Sequence, residues 1–427
     1  MNKHVKRMQS AAICAALLWS AGAYPLAEGV KPLLTSITAY AEDGTLANGL
    51  HYRINDGAAI IDGYTGSEKS LEIPSEIDGY PVTEIGGGAF SDCASLTSVT
   101  IPDSVTSIGG FVFDSCTSLT SITIPESVTS IDDGVFCRCT SLTSINIPDS
   151  VTSIGAETFS HCTSLTSVNI PDRVTSIGWG AFFGCTSLTS VTIPESVTSI
   201  GGWAFRGTPW LSQKQTEDPL VIVNGILIDG STCSGDVVIP EGVTSIGESA
   251  FELCTGLTTI IIPESVISIG DWAFSGCTGL TSLVLPSSVS ELGAGALEED
   301  TGLRHLVILN EACNIDLYIF DEQVLFPSPY TGTICGYEGS TAQTFAQERG
   351  YSFVSFVNTP GNVYMDDKVD LNDAILVLQD CAVRALGEPS LLVTEQQRLA
   401  DMNGNNKVGV DDAVEILQLC AQALVNQ

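Results

Sequence analysis

The chain has 427 residues, with 16 Lys and Arg against 50 Asp and Glu and a formal net charge of −34. So large a negative charge disfavours binding to nucleic acid and to anionic membrane surfaces, and it keeps a protein soluble. Beyond the N-terminal segment, no apolar run reaches the ~18 residues that a membrane helix needs.

The N-terminus has the pattern of a secretory signal peptide. Three basic residues precede an apolar run over 11–23, which is too short to cross a membrane. Cleavage after Ala41 is favoured because Glu42 begins the acidic composition of the remainder, and cleavage after Ala23 is the alternative. Removal of residues 1–41 leaves 12 Lys and Arg against 49 Asp and Glu. We therefore expect a secreted, extracellular protein.

A 23-residue repeat occupies most of the chain. Each unit follows C-x-x-L-x-x-V/I-x-I-P-x-x-V-x-x-I-G-x-x-x-F, and its L-x-x-V-x-I part alternates apolar and polar residues as a half-buried strand does. No unit can bury its apolar face alone, so stacked neighbours should build one continuous core. The Ile-Pro and Phe positions recur at one or two periods, at Pro102, Pro125, Pro148, Pro171, Pro194, Pro240, Pro263 and Pro286, and at Phe90, Phe113, Phe136, Phe159, Phe182, Phe205, Phe251 and Phe274.

These units resemble the BspA-type bacterial leucine-rich repeat, which occurs in surface and secreted proteins. The resemblance covers about residues 70–304 and implies a β-rich leucine-rich-repeat solenoid. A helix-like stretch from Thr341 and a strand from Tyr351 predict a C-terminal cap. The expected boundaries are a signal peptide over 1–41, an N-terminal cap over 42–73, the solenoid over 74–304 and the second cap over 305–357.

Most cysteines fall in one column of the repeat, so their side chains should point the same way. Disulfides require facing Cβ vectors, which favours buried apolar thiols over disulfides as the interpretation. Cys137 and Cys139 lack a matching His or Cys pair and do not predict a zinc site. The column contains Cys93, Cys116, Cys139, Cys162, Cys185, Cys254 and Cys277.

One repeat, from Arg206 to Asp236, is rewritten. Its Asn224-Gly225 pair lies between apolar runs, which predicts a hairpin. Sugar rings stack on exposed aromatic faces, so the tryptophans near this segment form a candidate ligand patch; the alternative is partial burial. They are Trp179, Trp203, Trp210 and Trp272.

The pattern of polar residues does not indicate catalysis. Beyond residue 41 the three histidines occupy unrelated positions of the repeat, and 49 acidic residues make any carboxylate pair uninformative. No Gly-rich phosphate loop follows a strand. We therefore expect a protein that is not an enzyme.

The last 67 residues contain the same acidic loop and amphipathic helix twice, 39 residues apart. The loops run from Asn362 to Asp373 and from Asp401 to Asp412. Oxygen-bearing side chains recur at loop positions 1, 5 and 12, and position 7 can offer a backbone carbonyl. This is the spacing that a six- to eight-coordinate Ca²⁺ needs from one loop. The alternative is a pair of acidic turns that cap helices without metal.

The duplication resembles the type I dockerin, a small all-α module that calcium folds and that binds cohesin modules of a scaffold. The resemblance covers about residues 361–425 and implies a domain over 358–427. Three residues of the first loop depart from the pattern, namely Tyr364 at position 3, Asp367 at the Gly position and Asn362 in place of the position-1 Asp. The second site should therefore be the stronger. The implied Ca²⁺ ligands are Asn362, Asp366, Lys368 (carbonyl), Asp370 and Asp373, then Asp401, Asn403, Asn405, Lys407 (carbonyl) and Asp412.

The resemblance also implies which residues contact cohesin. Either copy could present a similar face after a half-turn, because the two sets match; the alternative is that Leu371 and Val410 pack inside. The implied residues are Leu371, Asn372 and Gln379 in the first copy and Val410, Asp411 and Gln418 in the second.

The sequence thus predicts a secreted, non-catalytic component of a cellulosome-type complex. Its dockerin would bind a scaffold's cohesin, and its repeats would bind a polysaccharide or a surface protein. The alternatives are a cell-surface adhesin and a cryptic carbohydrate-active enzyme.

Overall fold

The computed structural model describes residues 43–316, 318–320, 330–355, 373–374, 376–378, 381, 392 and 394–425. The predicted signal peptide and most of the first acidic loop lie outside these residues. Short parallel strands stack from one repeat to the next over most of the described chain, which confirms the predicted β-solenoid.

One ladder of parallel strands is built from the L-x-x-V-x-I segments. Where strands pair, each meets its counterpart in the next repeat, so that Ser98 pairs with Ser121 and Ser167 with Ser190, and the ladder is divided into four short sheets. Outward hydroxyls alternate with a buried apolar residue, as the period of two requires. The strands are β4 (Ser70–Glu72), β7 (Ser98–Thr100), β9 (Ser121–Thr123), β11 (Ser167–Asn169), β13 (Ser190–Thr192), β17 (Gly235–Val238), β19 (Leu257–Ile261), β21 (Ser282–Leu285) and β23 (His305–Ile308).

A second parallel ladder follows the Ile-Pro pairs, in the short extended pieces of each repeat. An isolated bridge between Ile131 and Ile154 continues it where no full strand forms. Its members are β6 (Tyr80–Ile85), β8 (Ser107–Ile108), β10 (Ser153–Ile154), β12 (Ser176–Ile177), β14 (Ser199–Ile200), β16 (Ile226–Asp229), β18 (Ser245–Ile246), β20 (Ser268–Ile269), β22 (Glu291–Leu292) and β24 (Asn314–Ile315).

The solenoid is covered at both ends. At the N-terminal end, β1 (Asp43–Thr45), β2 (Leu50–Asn55) and β3 (Ala58–Tyr64) form an antiparallel meander, and β5 (Glu76–Ile77) pairs with β6. At the other end, β25 (Thr333–Gly336) and β26 (Ser352–Ser355) extend the first ladder. A helix from Thr341 to Arg349 lies between them and starts at the N-cap Ser340, whose hydroxyl accepts from the Gln343 amide. The helix and final strand form where the sequence predicted them.

A column of stacked phenylalanine rings runs along the core. Phe90, Phe113, Phe136 and Phe159 are fully buried, and their successive ring centroids lie 5.2, 5.6 and 5.5 Å apart with interplanar angles below 10°. Each ring therefore packs on the equivalent ring of the next repeat, and the one-dimensional stack carries the core from layer to layer.

The column cysteines are thiols, as the sequence predicted. Each of several donates from Sγ to the carbonyl of the phenylalanine 26 residues earlier, as Cys116 does to Phe90 at 3.1 Å and Cys185 to Phe159 at 3.0 Å. Burial raises the pKa of the Cys185 thiol to about 12, so the proton needed for this hydrogen bond stays in place at neutral pH. These thiols are therefore second donors to carbonyls that also accept from a backbone amide, as Phe90 does from Cys93 and Phe159 from Cys162.

The rewritten repeat contains the predicted hairpin and a helix that we did not predict. β15 (Val221–Val223) and β16 pair antiparallel across Asn224-Gly225. The helix Pro209–Glu217 begins at Thr208, whose hydroxyl accepts from the Leu211 amide, with Pro at the first helical position. Thr208 occupies the cysteine position of the repeat, so the chain leaves the repeat pattern there.

Two further helices lie in the C-terminal segment, at Thr394–Ala400 and Val410–Val425. They share a small core with Ala374, Val377 and Leu392. Leu399 of the first helix packs apart from that core, against Val307, Leu309 and Cys335 of the solenoid's C-terminal end. Among the described residues, none of the helices is both long and apolar enough to span a membrane.

Candidate functional site

The second acidic loop closes on itself through its own side-chain oxygens. Asp401 accepts from the amides of Asn405 and Asn406 at 3.0 and 2.8 Å, and the Asn405 side chain accepts from the Lys407 amide at 2.8 Å. The fully buried Asp412 accepts from the amides of Met402 and Gly409 at 3.0 and 2.8 Å. The predicted side-chain ligands of this loop therefore lie together on one turn of chain.

The loop backbone has the sharp turns that a one-loop cation site requires. Gly404 and Asn406 have φ angles of 70° and 60°, and Asn is among the few residues that adopt this left-handed conformation readily. Asn406 stands at loop position 6, where calcium loops generally have Gly for the same turn.

The donor set of this loop fits a hard cation. It offers two carboxylates, two amide oxygens and a backbone carbonyl, the oxygen ligands that Ca²⁺ takes. Within the described chain, no group of three or more His, Cys, Asp and Glu side chains could hold a metal ion. In this loop only Asp401 and Asp412 are carboxylates, and the other predicted side-chain ligands are the amides of Asn403 and Asn405. Asp412 is 0% exposed, and a buried carboxylate is costly without a compensating charge.

In the first loop, only Asp373 lies among the described residues, and it is 1% exposed. Asn362, Asp366, Lys368 and Asp370 lie outside them, as do Leu371, Asn372 and Gln379. What can be compared is the helix that follows each loop.

Equivalent positions of the two copies are buried to the same degree. At a spacing of 39 residues, the pairs are Asp373 with Asp412 (1% and 0% exposed), Ala374 with Ala413 (both 0%), Val377 with Ile416 (both 0%) and Leu378 with Leu417 (38% and 37%). The duplication is therefore structural as well as sequential, since both copies bury one face and expose the same apolar position.

The helix Val410–Val425 exposes a stripe of apolar side chains. Val410, Val414 and Leu417 are 57%, 45% and 37% exposed, and their spacing of four and three residues puts them on one side of the helix. Asp411 and Gln418 are exposed as well. Val410 lies on the exposed side of the helix, whereas Ala413 and Ile416 form its buried face.

The tryptophans of the candidate ligand patch separate into two groups. Trp179, Trp203 and Trp272 line one cavity of about 560 Å³ on the surface of the repeats. Trp210 is 8% exposed and packs on the Phe205 ring at 4.7 Å. It lies in the core because the unpredicted helix turns it inward, where it covers the end of the interrupted phenylalanine stack.

The sequence did not point to the glutamates that accompany these tryptophans. Trp203 Nε1 donates to Glu252 at 2.6 Å, and Trp272 Nε1 donates to Glu298 at 3.1 Å. Glu252 is 49 residues from Trp203, so no local motif joins them. The 23-residue period places Trp203 and Trp272 at equivalent positions of their repeats. The period does not predict the contact between Trp203 and Glu252, because the rewritten repeat lies between them in the sequence.

Comparison with known proteins agrees with the repeat pattern. The family model for the BspA type leucine-rich repeat region matches in six copies, over residues 83–212 and 230–326. These residues are more than half of the chain, and the protein belongs to this family. The model leaves out residues 213–229, which are part of the rewritten repeat. No curated protein matches the chain.

Several solved structures are similar to parts of the chain. A leucine-rich repeat protein of T. pallidum is 32% identical over 55% of this chain and 90% of its own, with a TM-score of 0.36. A leucine-rich cell surface protein of Faecalibacterium prausnitzii is 29% identical over 71% and 97%, with a TM-score of 0.38. A leucine-rich repeat protein of Bacteroides ovatus is 27% identical over 73% and 76%, with a TM-score of 0.39.

Proposed function

We propose that this protein is a secreted, non-catalytic component of a polysaccharide-degrading complex. Its residues 358–427 act as a type I dockerin that binds a cohesin of a scaffold when calcium is bound. The repeats bind a further partner, and the scaffold holds the protein outside the cell or at its surface. Two matched oxygen-rich loops before two matched helices support the dockerin assignment most directly.

The exposed stripe supports the cohesin face within this proposal. Val410 is 57% exposed. Burial of such an apolar side chain by a partner stabilises the complex. Asp411 and Gln418 flank the stripe with polar groups, the usual arrangement at the rim of an interface. The first copy would present Leu371, Asn372 and Gln379 in the same way after a half-turn of the module.

Truncation of both apolar anchors should abolish cohesin binding. Leu371→Ala or Val410→Ala alone should weaken it modestly, because the other copy can dock instead. The double variant should lose it, since an apolar anchor at an interface centre contributes about 1–2 kcal/mol or more. Titration of both singles and the double against a panel of cohesins, with calcium and with chelator, measures this.

Leu419→Ala is the matched control. Leu419 is 39% exposed but lies nine residues from Val410, about 180° around the helix. Its truncation should leave cohesin binding unchanged. If the double variant keeps its calcium and its helices and still binds every cohesin at full strength, the interface lies elsewhere on the module.

The proposal also predicts that the protein degrades no polysaccharide. The purified chain without residues 1–41 should release no reducing sugar from plant cell-wall polysaccharides, because the sequence shows no positioned acid and base. A turnover that a single carboxylate substitution abolishes would identify it instead as a carbohydrate-active enzyme. Adhesion to whole cells by a variant that binds no cohesin would favour the adhesin alternative.

A further inference from the structure

Two tryptophans of the cavity lie at a backbone position that favours glycine. Two residues before each core phenylalanine, the chain turns with φ between 51° and 69°. Gly88, Gly134, Gly180 and Gly295 (the last before Leu297, which replaces the phenylalanine) occupy this position in four repeats, Glu157 and Ser249 in two, and the bulky Phe111, Trp203 and Trp272 in three. A bulky residue in this conformation costs about 1–2 kcal/mol. The two tryptophans are therefore held in place against a conformational cost.

Each bulky side chain at this position extends toward the next repeat. The Trp272 ring lies over Gly295, where an added Cβ would stand 2.5 Å from its Cδ1 atom, and the Phe111 ring covers Gly134 in the same way. The indole of Trp203 has Trp179 as its neighbour, with ring centroids 5.3 Å apart. The rings are thus fixed on the surface by the repeat itself.

Carboxylates surround the tryptophan rings. Glu248, Glu252, Glu298 and Glu299 line the cavity, and no described Lys or Arg does. The Glu248 carboxylate accepts from the Gly202 amide at 3.0 Å. Gly202 lies 46 residues earlier, on the other side of the rewritten repeat. Burial raises the pKa of Glu248, and the neighbouring Asp271 and Glu252 carboxylates raise it further. The cavity is consequently a region of concentrated negative charge.

The edge of the cavity already binds one cation. The Arg206 guanidinium lies 4.8 Å from the centre of the Trp203 ring and 3.9 Å from Glu252. This pairing of an aromatic face with a carboxylate stabilises a cation from two directions. The Trp203 and Trp272 N–H groups are already donated to glutamates, and Arg206 covers the Trp203 ring. The π-electron faces that the cavity offers a ligand are therefore those of Trp179 and Trp272.

We propose that this cavity binds arginine and lysine side chains of a basic peptide segment in a partner protein. The proposal rests on the proposed function only in that the repeats have a partner, and it requires neither calcium nor cohesin. The four carboxylates and the Trp179 and Trp272 indoles match a cationic side chain in charge and in shape. A neutral sugar would stack on the indoles, but it would leave the carboxylates partly desolvated and uncompensated.

The test uses acetyl-tetra-arginine amide as the probe and the full chain without residues 1–41. Binding is followed by calorimetry and by tryptophan fluorescence at several salt concentrations. We expect saturable binding that weakens as salt rises, because salt screens the charges. Trp272→Gly, which removes the ring and relieves the backbone, should weaken binding about tenfold.

Two glutamate-to-glutamine substitutions distinguish the charge of the cavity carboxylates from their role in holding the tryptophans. Glu252→Gln and Glu298→Gln each keep an oxygen that can accept the indole N–H, so the tryptophans should stay in place. The double variant should also weaken binding about tenfold, as the loss of two nearby charges implies. The matched controls are Phe111→Gly, at the same position of another repeat, and Glu126→Gln, at an exposed site away from the cavity. Both should bind as the wild type does.

Three outcomes would overturn the proposal. The peptide could fail to bind at low salt, or Glu126→Gln could weaken it as much as the cavity pair, which would indicate diffuse attraction by an acidic surface. Alternatively, cellohexaose could bind in a Trp272-dependent way while the peptide did not, which would make the cavity a glycan site. All titrations are repeated in chelator. Peptide binding that persists there while cohesin binding is lost separates this proposal from the calcium-dependent one.

Discussion

Chelation of calcium is expected to abolish the helical structure of residues 361–425 and to leave the repeats folded. The C-terminal core is small, with Ala374, Val377, Ala413 and Ile416 among its few fully buried side chains. Metal binding should therefore supply much of the folding free energy of this segment. The repeats have a continuous core of their own. Circular dichroism should lose helix signal on chelation, while the strand signal of the repeats stays.

Substitutions at the last position of each loop test which calcium site is stronger. Asp412→Ala should weaken calcium binding by about 2 kcal/mol or more, since it removes a buried carboxylate that accepts several amide hydrogen bonds. Asp373→Ala should weaken it less, because the first loop has Tyr364 in place of an oxygen donor and Asn362 in place of the position-1 Asp. Glu415→Ala is the control, as it removes the same charge from the same helix three residues beyond the loop. Equal losses at Asp373 and Asp412, or no loss of helix on chelation, would contradict the two-loop assignment.

Asp300→Cys is expected to stabilise the C-terminal repeats. Asp300 lies 23 residues after Cys277, at the cysteine position of its repeat. It is 7% exposed, and neither carboxylate oxygen has a hydrogen-bond partner among the described residues. A buried polar group without a partner costs about 1–3 kcal/mol. A cysteine at position 300 would supply a thiol donor of the kind found one repeat earlier, where Cys277 donates to the Phe251 carbonyl at 3.1 Å.

The gain should depend on pH. Burial raises the pKa of Asp300 from 3.8 to about 8. Between these two pH values the Asp300 carboxyl is protonated in the folded state and ionised in the unfolded state. Stability that depends on this group is therefore present at low pH and falls as pH rises from about 4 toward 8. The difference in urea midpoint between Asp300→Cys and the wild type should be larger at pH 8 than at pH 5.

The reciprocal change controls for position. Cys277→Asp should destabilise the repeats at pH 8, because it creates the same buried acid one layer earlier. If Asp300→Cys has no effect at either pH, or a larger effect at pH 5, then Asp300 is already ionised and paired.

The sequence alone predicted the solenoid well because its contacts obey one rule. A residue in a stacked repeat meets its equivalent 23 positions later, as Ser98 meets Ser121, so the period read from Phe90 and Phe113 already states which residues touch. The burial of the cysteines followed from the same rule. The sequence also predicted that the two C-terminal copies are structurally similar, because a duplication preserves both the spacing and the pattern of apolar residues.

Only the tertiary structure decided what happens where the period is broken. Thr208 and Pro209 begin a helix that turns Trp210 into the core, although its neighbour Trp203 stays on the surface. Trp203 meets Glu252 across 49 residues, a contact that exists because one repeat was rewritten between them. Secondary-structure propensity predicts contacts between residues close in the sequence, and the repeat period predicts contacts between adjacent repeats. A cavity that joins layers on either side of an irregular repeat depends on how that repeat folds, and this is set by packing in three dimensions.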